Sequence, residues 1–165
     1  MPSLWVGIGL KESDRVSKTD IFMEKLKKLI NSTQLAVLST EHSGEPYASL
    51  VAFAVTDNLR EILFATSKAT RKFSYLMENN SVALLVDNRS NSIEDFQHAM
   101  AVTVLGTASV LEEDERHRYL KLYLDKLPHL AGFVESPSCA LILVKVSSYY
   151  LVDHFQKVME FHFQS

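Results

Sequence analysis

The sequence predicts a mainly β domain: an antiparallel β-barrel with flanking helices. Short β-type runs follow one another at hairpin-length spacing, which points to an antiparallel sheet closed or nearly closed on itself. Helical stretches fall between groups of strands, so the strict strand–helix alternation of a Rossmann-type sheet is missing. The chain has 165 residues, 47% hydrophobic and 22% charged. That is enough for one domain over residues 1–165 with a sizeable core.

The elements follow in order. Residues 1–17 are read as an N-terminal extension. Ser17 or Thr19 can cap the first helix; Phe22, Leu26, Leu29 and Ile30 follow at helical spacing, with Lys25, Lys27 and Lys28 on the other side. Leu35–Thr40 is a β-type run, and Glu41–Glu45 is the hairpin turn after it. Tyr47–Val55 is apolar on both faces, as in a strand covered on both sides. Thr56-Asp57-Asn58 turns the chain into a third strand, Glu61–Thr66. Thr70–Glu78 is a short helix with Phe73, Leu76 and Met77 inward, ended by Asn79-Asn80. Val82–Val86 is a fourth strand, and Asp87–Ser92 an exposed loop. Ala101–Leu111 is a fifth, with Gly106 as a bulge or close-approach point. Glu112–Leu127 is a helix with acidic residues in its first turn and a stripe of Leu120, Tyr123, Leu124 and Leu127; Pro128 stops it. Ala140–Val146 and Tyr149–Phe161 are the last two strands.

Composition excludes several function classes. Seventeen Lys+Arg against twenty Asp+Glu give a net charge of −3, with no basic excess for nucleic acid or anionic membrane. A single cysteine excludes a disulfide framework and a Cys-rich zinc site. Leu4–Leu10 is too short for a secretory signal, and no run approaches the roughly twenty apolar residues of a membrane span. The expected location is cytoplasmic.

Phe64-Ala65-Thr66-Ser67-Lys68-Ala69-Thr70-Arg71-Lys72 carries the chemistry. It runs off a strand into a helix capped by Thr70, with Arg71 and Lys72 in the first turn. Cations there oppose the helix dipole. An anion at that end reverses the sign: free backbone N–H groups, the Thr66, Ser67 and Thr70 hydroxyls and two cations converge on a phosphate. The other reading is a solvated basic turn, and the local pattern leaves both standing.

His42-Ser43-Gly44-Glu45-Pro46-Tyr47 through Val51, then Ile62–Thr66 and Thr70-Arg71-Lys72, resemble the FMN-binding split-barrel family typified by pyridoxamine 5'-phosphate oxidase. The resemblance runs from about Leu35 to Leu111, and the Arg-Lys pair is its most specific element. It implies an FMN-binding split barrel of antiparallel Greek-key-type strands, and a homodimer with FMN at the subunit interface. By it, Arg71 and Lys72 bind the FMN phosphate, and Ala65 and Thr66 contact the ribityl-phosphate. Ser49, Leu50 and Val51 line the flavin ring with backbone groups, and residues near Gln97–Ala101 come from the partner subunit. The oxidase itself begins its flavin-contacting strand with Arg and ends it with Lys, where this chain has Ser49 and Ala54. It also closes with an Arg/His-bearing segment, whereas no Arg follows Arg118 here. The resemblance therefore supports the fold and the FMN site, not the oxidase reaction.

The remaining candidates have plainer readings. His98, His117, His129, His154 and His162 show no metal-ligand spacing, although even spacing allows His154 and His162 to share a strand face. Cys139 reads as a packed small hydrophobe. Phe22, Phe53, Phe73, Phe133 and Phe155 read as core or dimer contacts, and Trp5 as a packing residue, with a neighbouring subunit or a flavin edge as the alternative it could cover. The expected function is an FMN-dependent oxidoreductase acting on a small molecule, with no residue presenting itself as a general base. The alternatives are a non-catalytic flavin-binding protein, a deazaflavin-dependent reductase, for which Lys68 is the extra cation, or a haem-related protein with His154 or His162 as axial ligand.

Overall fold

The computed structural model describes residues 12–154 and 157–164, with 12–17 as backbone only. Leu4–Leu10, Trp5 and Phe155 lie outside the described residues. The first helix, α1, spans Glu12–Ser32. It takes in Ser17 and Thr19, so neither caps it. No Gly or Pro interrupts Glu12–Lys18, and that polar stretch extends the helix ahead of its apolar stripe.

The strands are β1 (Leu35–His42), β2 (Glu45–Val55), β3 (Glu61–Ser67), β4 (Ser81–Asp87), β5 (Met100–Val110), β6 (Cys139–Asp153) and β7 (Lys157–His162). Helix α2 (Arg71–Glu78) joins β3 to β4, and the short α3 (Asp95–His98) precedes β5. Helix α4 (Glu113–Lys126) follows β5; a turn of 3₁₀ helix (Pro128–Leu130) and α5 (Ala131–Val134) lead into β6. The strand order is β3-β2-β1-β4-β5-β6-β7, with β3 also paired to β6. All pairings are antiparallel. Strands β1–β6 thus close a barrel, and β7 extends β6 beyond it.

Local chemistry explains the joints. Ser43 and Gly44 both have positive φ (53° and 83°), and His42 pairs with Glu45 across them. This is a two-residue turn whose twist suits a hairpin. At Gly106 the β5–β6 register shifts by one residue. A Cβ there would lie 2.5 Å from the Lys145 carbonyl oxygen, so the backbones approach too closely for a side chain. The extra residue, Ser147, is why the sequence looks like two strands at 140–146 and 149–161. They are one bulged strand, and the chain reverses after Asp153.

Leu26, Leu29 and Ile30 of α1 are almost fully buried and fill the barrel interior with Phe22, Phe53, Phe64 and Val104. A second cluster lies outside, where Leu63, Ala65, Leu141 and Leu143 meet Tyr119 and Tyr123 of α4 and Leu127 at its C-terminal cap. Strands β3 and β6 are therefore covered on both faces. Strand β2 is covered on its outer face only in its second half: Ala54 is buried there, but Leu50, earlier on the same face, is 64% exposed. Met77, expected inward, is also exposed, while Leu76 is buried and Phe73 partly so.

Candidate functional site

The candidate site lies where β2 and β3 part. Strand β2 pairs with β3 only over Phe53–Val55. Phe53 N–H donates to the Gln34 carbonyl on the β1 side. Backbone groups alternate in direction along a strand. Ser49 and Val51 therefore turn their backbone groups to Leu38 and Ala36 of β1, and those of Leu50 face the open edge. Among the described residues no strand pairs with that edge. Of Ser49, Leu50 and Val51, Leu50 alone presents unpaired backbone groups at that edge. Just beyond the last rung of the β2–β3 pairing, the Tyr123 hydroxyl donates to the Ala52 carbonyl at 3.3 Å and its oxygen accepts from the Ala65 N–H. Burial pushes the Tyr123 phenol up to about 12. The sequence placed Tyr123 on an apolar stripe; nothing in the pattern reveals that its hydroxyl bridges the two strands.

Strand β3 then delivers the polar segment. Thr70 caps α2 by accepting from the Phe73 N–H at 3.3 Å and donates to the Ser67 carbonyl at 2.9 Å. Its oxygen also meets the Thr66 hydroxyl at 3.0 Å. Thr66 is buried and ties the end of β3 to the cap. The Ser67 hydroxyl accepts from Ala69 N–H at 3.2 Å, which leaves its own proton to give. The Arg71 and Lys72 amides, in the first turn, have no intrahelical acceptor. The Arg71 side chain is exposed and its guanidinium lies 5.4 Å from the Tyr47 ring centroid; Lys72 is half-buried. Lys68 gives its ammonium to the Pro137 carbonyl at 3.2 Å. Hydrogen bonds tie Thr66, Ser67 and Thr70 together at the start of α2, where Arg71 and Lys72 follow in the first turn, and Leu50 and Ala65 border the neighbouring gap. Ser49 adds a side-chain oxygen that is buried without a partner.

Gln97 is not among them. It lies exposed on α3, ahead of β5. Residues at the start of β5 pair with the ends of β4 and β6, whereas Ser67, at the end of β3, pairs with the start of β6. Gln97 and Arg71 thus sit at opposite ends of one barrel. A cavity of about 720 Å³ opens at the Gln97 end, lined by Leu85, Phe96, Met100, Ala101 and Val152 among others. It lacks the Arg-Lys pair, so cavity size and phosphate chemistry point to different places within one chain.

The histidines fall apart as a pair. His154 lies in the turn after β6, with φ 50°, and only His162 is on β7. His154 Nδ1 is 2.6 Å from the buried Asp153. Both ring nitrogens of His162 are engaged, by Ser148 at 2.8 Å and Glu160 at 3.3 Å. Cys139 is free and buried, and burial pushes its thiol up. No helix among the described residues is long and apolar enough to cross a membrane.

The sequence profile of the pyridoxamine 5'-phosphate oxidase family matches residues 22–153. The chain belongs to this family. A search of curated proteins finds no match. Among solved structures, the barrel is similar to a haem-binding protein from Mycobacterium smegmatis, with TM-score 0.75 and 17% identity. That match covers 84% of this chain and 57% of the other, so this chain spans little more than half of that protein. It is also similar to a Clostridium acetobutylicum protein related to a Bacillus subtilis general stress protein of the pyridoxinephosphate oxidase family, with TM-score 0.68, 18% identity and coverage of 87% and 95%. A third is an FAD-binding protein from Mesorhizobium loti, with TM-score 0.63, 15% identity and coverage of 78% and 90%. At these identities the structural likeness speaks for the split-barrel fold alone.

Proposed function

We propose that the protein is an FMN-binding flavoprotein that works as a homodimer and carries out oxidoreduction on a small molecule. The observation that carries this reading is the convergence at the start of α2. Open first-turn amides, the Ser67 hydroxyl and the Arg71 and Lys72 cations meet beside the unpaired edge of β2. A phosphate monoester is the anion such a donor set fits. Arg71 and Lys72 hold its charge, and Thr66 and Thr70 fix the loop that presents the amides. The open Leu50 N–H and C=O offer one donor and one acceptor to the polar edge of a flat ring. The ring supplies the redox chemistry, accepting and releasing electrons; the chain anchors and orients it.

The separation of Gln97 from Arg71 supports the dimer, since the family resemblance puts both at the flavin. A second copy can bring its Gln97 end, with the cavity, over the first copy's β2 edge, which one chain cannot do alone. The exposed Leu50, Ile93 and Phe96 suit such a covered surface.

Absorbance in the flavin bands and an FMN titration test the reading. Arg71→Ala/Lys72→Ala removes two charge-assisted anchors, each worth about 1.5–3 kcal/mol, so affinity falls at least about a hundredfold. Unchanged affinity in the double variant refutes the phosphate assignment. A wild-type protein that takes up no FMN refutes the cofactor. Steady-state oxidation of NADH or NADPH by the loaded protein separates an oxidoreductase from a flavin store.

Haem binding is a second reading, favoured by the Asp153–His154 pair beside β5. A carboxylate on Nδ1 leaves Nε2 free as an axial ligand, an arrangement common around metal-bound histidine. Both nitrogens of His162 are taken, so His154 is the candidate; a Soret band lost in His154→Ala tests it.

A further inference from the structure

Arg71 and Tyr75 lie four residues apart on α2, so they share one face of the helix. That face meets the β1–β2 hairpin. The Tyr75 ring centroid lies 5.2 Å from that of His42 and 6.0 Å, edge-on, from that of Tyr47. The Arg71 guanidinium lies over the Tyr47 ring at 5.4 Å. Arg71 follows the end of β3, whereas Tyr47 is on β2, three residues before Leu50, where β2 has parted from β3. The cation thus reaches across the gap to the β2 side. Arg71 is exposed and stands at a helix N-terminus, where the dipole opposes a cation; the negative face of an aromatic ring offsets this. Among the described residues no carboxylate pairs with Arg71 and no acceptor engages its guanidinium. The contact with the ring consumes no N–H, so these donors remain to give.

We propose that Tyr47 is a positioning residue: its ring holds the Arg71 guanidinium at the gap between β2 and β3, ready for a phosphate. This rests on the phosphate anchor proposed above and adds a residue to it. A freely moving arginine loses rotamer freedom when it grips an anion, and that loss weakens binding. A guanidinium already laid on a ring has lost part of that freedom before the ligand arrives. Tyr75 braces the Tyr47 ring by its edge and is itself packed on His42, so the ring that carries Arg71 is supported from α2 and from the hairpin. The ring face does the holding, and the Tyr47 hydroxyl has no part in it.

The test titrates the full chain with FMN and with riboflavin, which lacks the phosphate. Tyr47→Leu should lower FMN affinity about fivefold, the cost of ordering one long side chain, and leave riboflavin affinity unchanged. Tyr47→Phe keeps the ring and should bind FMN as wild type does. Tyr47→Met gives the same comparison as Tyr47→Leu if the leucine variant does not fold. A double-mutant cycle decides whether the effect passes through Arg71: in an Arg71→Ala background, Tyr47→Leu should change FMN affinity by less than about twofold. An equal loss in both backgrounds, or a loss in Tyr47→Phe as large as in Tyr47→Leu, overturns the proposal. A wild type that prefers FMN to riboflavin, with a Tyr47→Leu variant that keeps the whole preference, removes Tyr47 and leaves the anchor standing. A wild type with no preference for FMN refutes the anchor and this role together.

Discussion

Replacing Gly106 with alanine tests the link between one glycine and the closure of the barrel. Gly106 sits where β5 and β6 shift register. The added methyl would lie 2.5 Å from the Lys145 carbonyl oxygen and 2.7 Å from Val144 Cγ1. Both lie well inside contact distance. The Val144 side chain can turn, but the carbonyl is backbone in the central strand of the barrel and cannot move alone. Overpacking of this kind costs about 1–3 kcal/mol, and the upper part of that range applies to a backbone clash. Against it stands about 0.4–1 kcal/mol gained because alanine restricts the unfolded chain. The net destabilisation is about 2 kcal/mol, or roughly 4–8 °C in Tm for a domain of this size. Thermal and urea unfolding followed by circular dichroism measure it. Gly132→Ala is the control, since its Cβ meets nothing within 4 Å in α5. A Gly106→Ala protein as stable as wild type, or as stable as the Gly132 variant, refutes the close-approach reading.

Thr70→Ala removes the α2 cap and the partner of Thr66, and should destabilise by about 1–2 kcal/mol; Thr70→Ser should restore most of it. Chemical denaturation of both variants decides. Asp153 governs acid stability. Burial alone would push its carboxyl up, but the hydrogen bond and charge of Lys25, with His154, together hold it below the ordinary 3.8. Its contribution is therefore present above that value and lost as pH falls through the lower folded value. As pH falls below the ordinary 3.8, wild type should lose stability more steeply than Asp153→Asn; parallel curves would refute this.

Much of the fold is legible because it rests on local periodicity. Phe22, Leu26, Leu29 and Ile30 recur at the helical period, and all are buried. Gly106 stands out in a β-branched run, and the backbones do approach there. Thr70 reads as a cap, and it is one. What pattern cannot carry is what covers a face. Leu50 and Ala54 lie on the same face of one apolar stretch, yet one is exposed and the other almost fully buried. Coverage depends on where α4 lands, and that follows from long-range pairing. The bulge at Ser147 shifts the alternation by one residue, which makes one strand look like two. For the site, residues close in sequence are legible as a group: Thr66, Ser67 and Thr70 are hydrogen-bonded to one another directly ahead of Arg71 and Lys72. The separation of Gln97 from them is set by the β3–β6 closure, which no local motif encodes.

The central claim is a phosphate anchor at the start of α2, and comparing FMN with riboflavin tests it most directly. The two share the ring and the ribityl chain and differ in the phosphate alone. Calorimetric titration of the wild-type protein should give FMN an affinity at least about a hundredfold above that of riboflavin, because riboflavin leaves Arg71, Lys72 and the open amides without their anion. Equal affinities for the two, or no binding of FMN, would contradict the account.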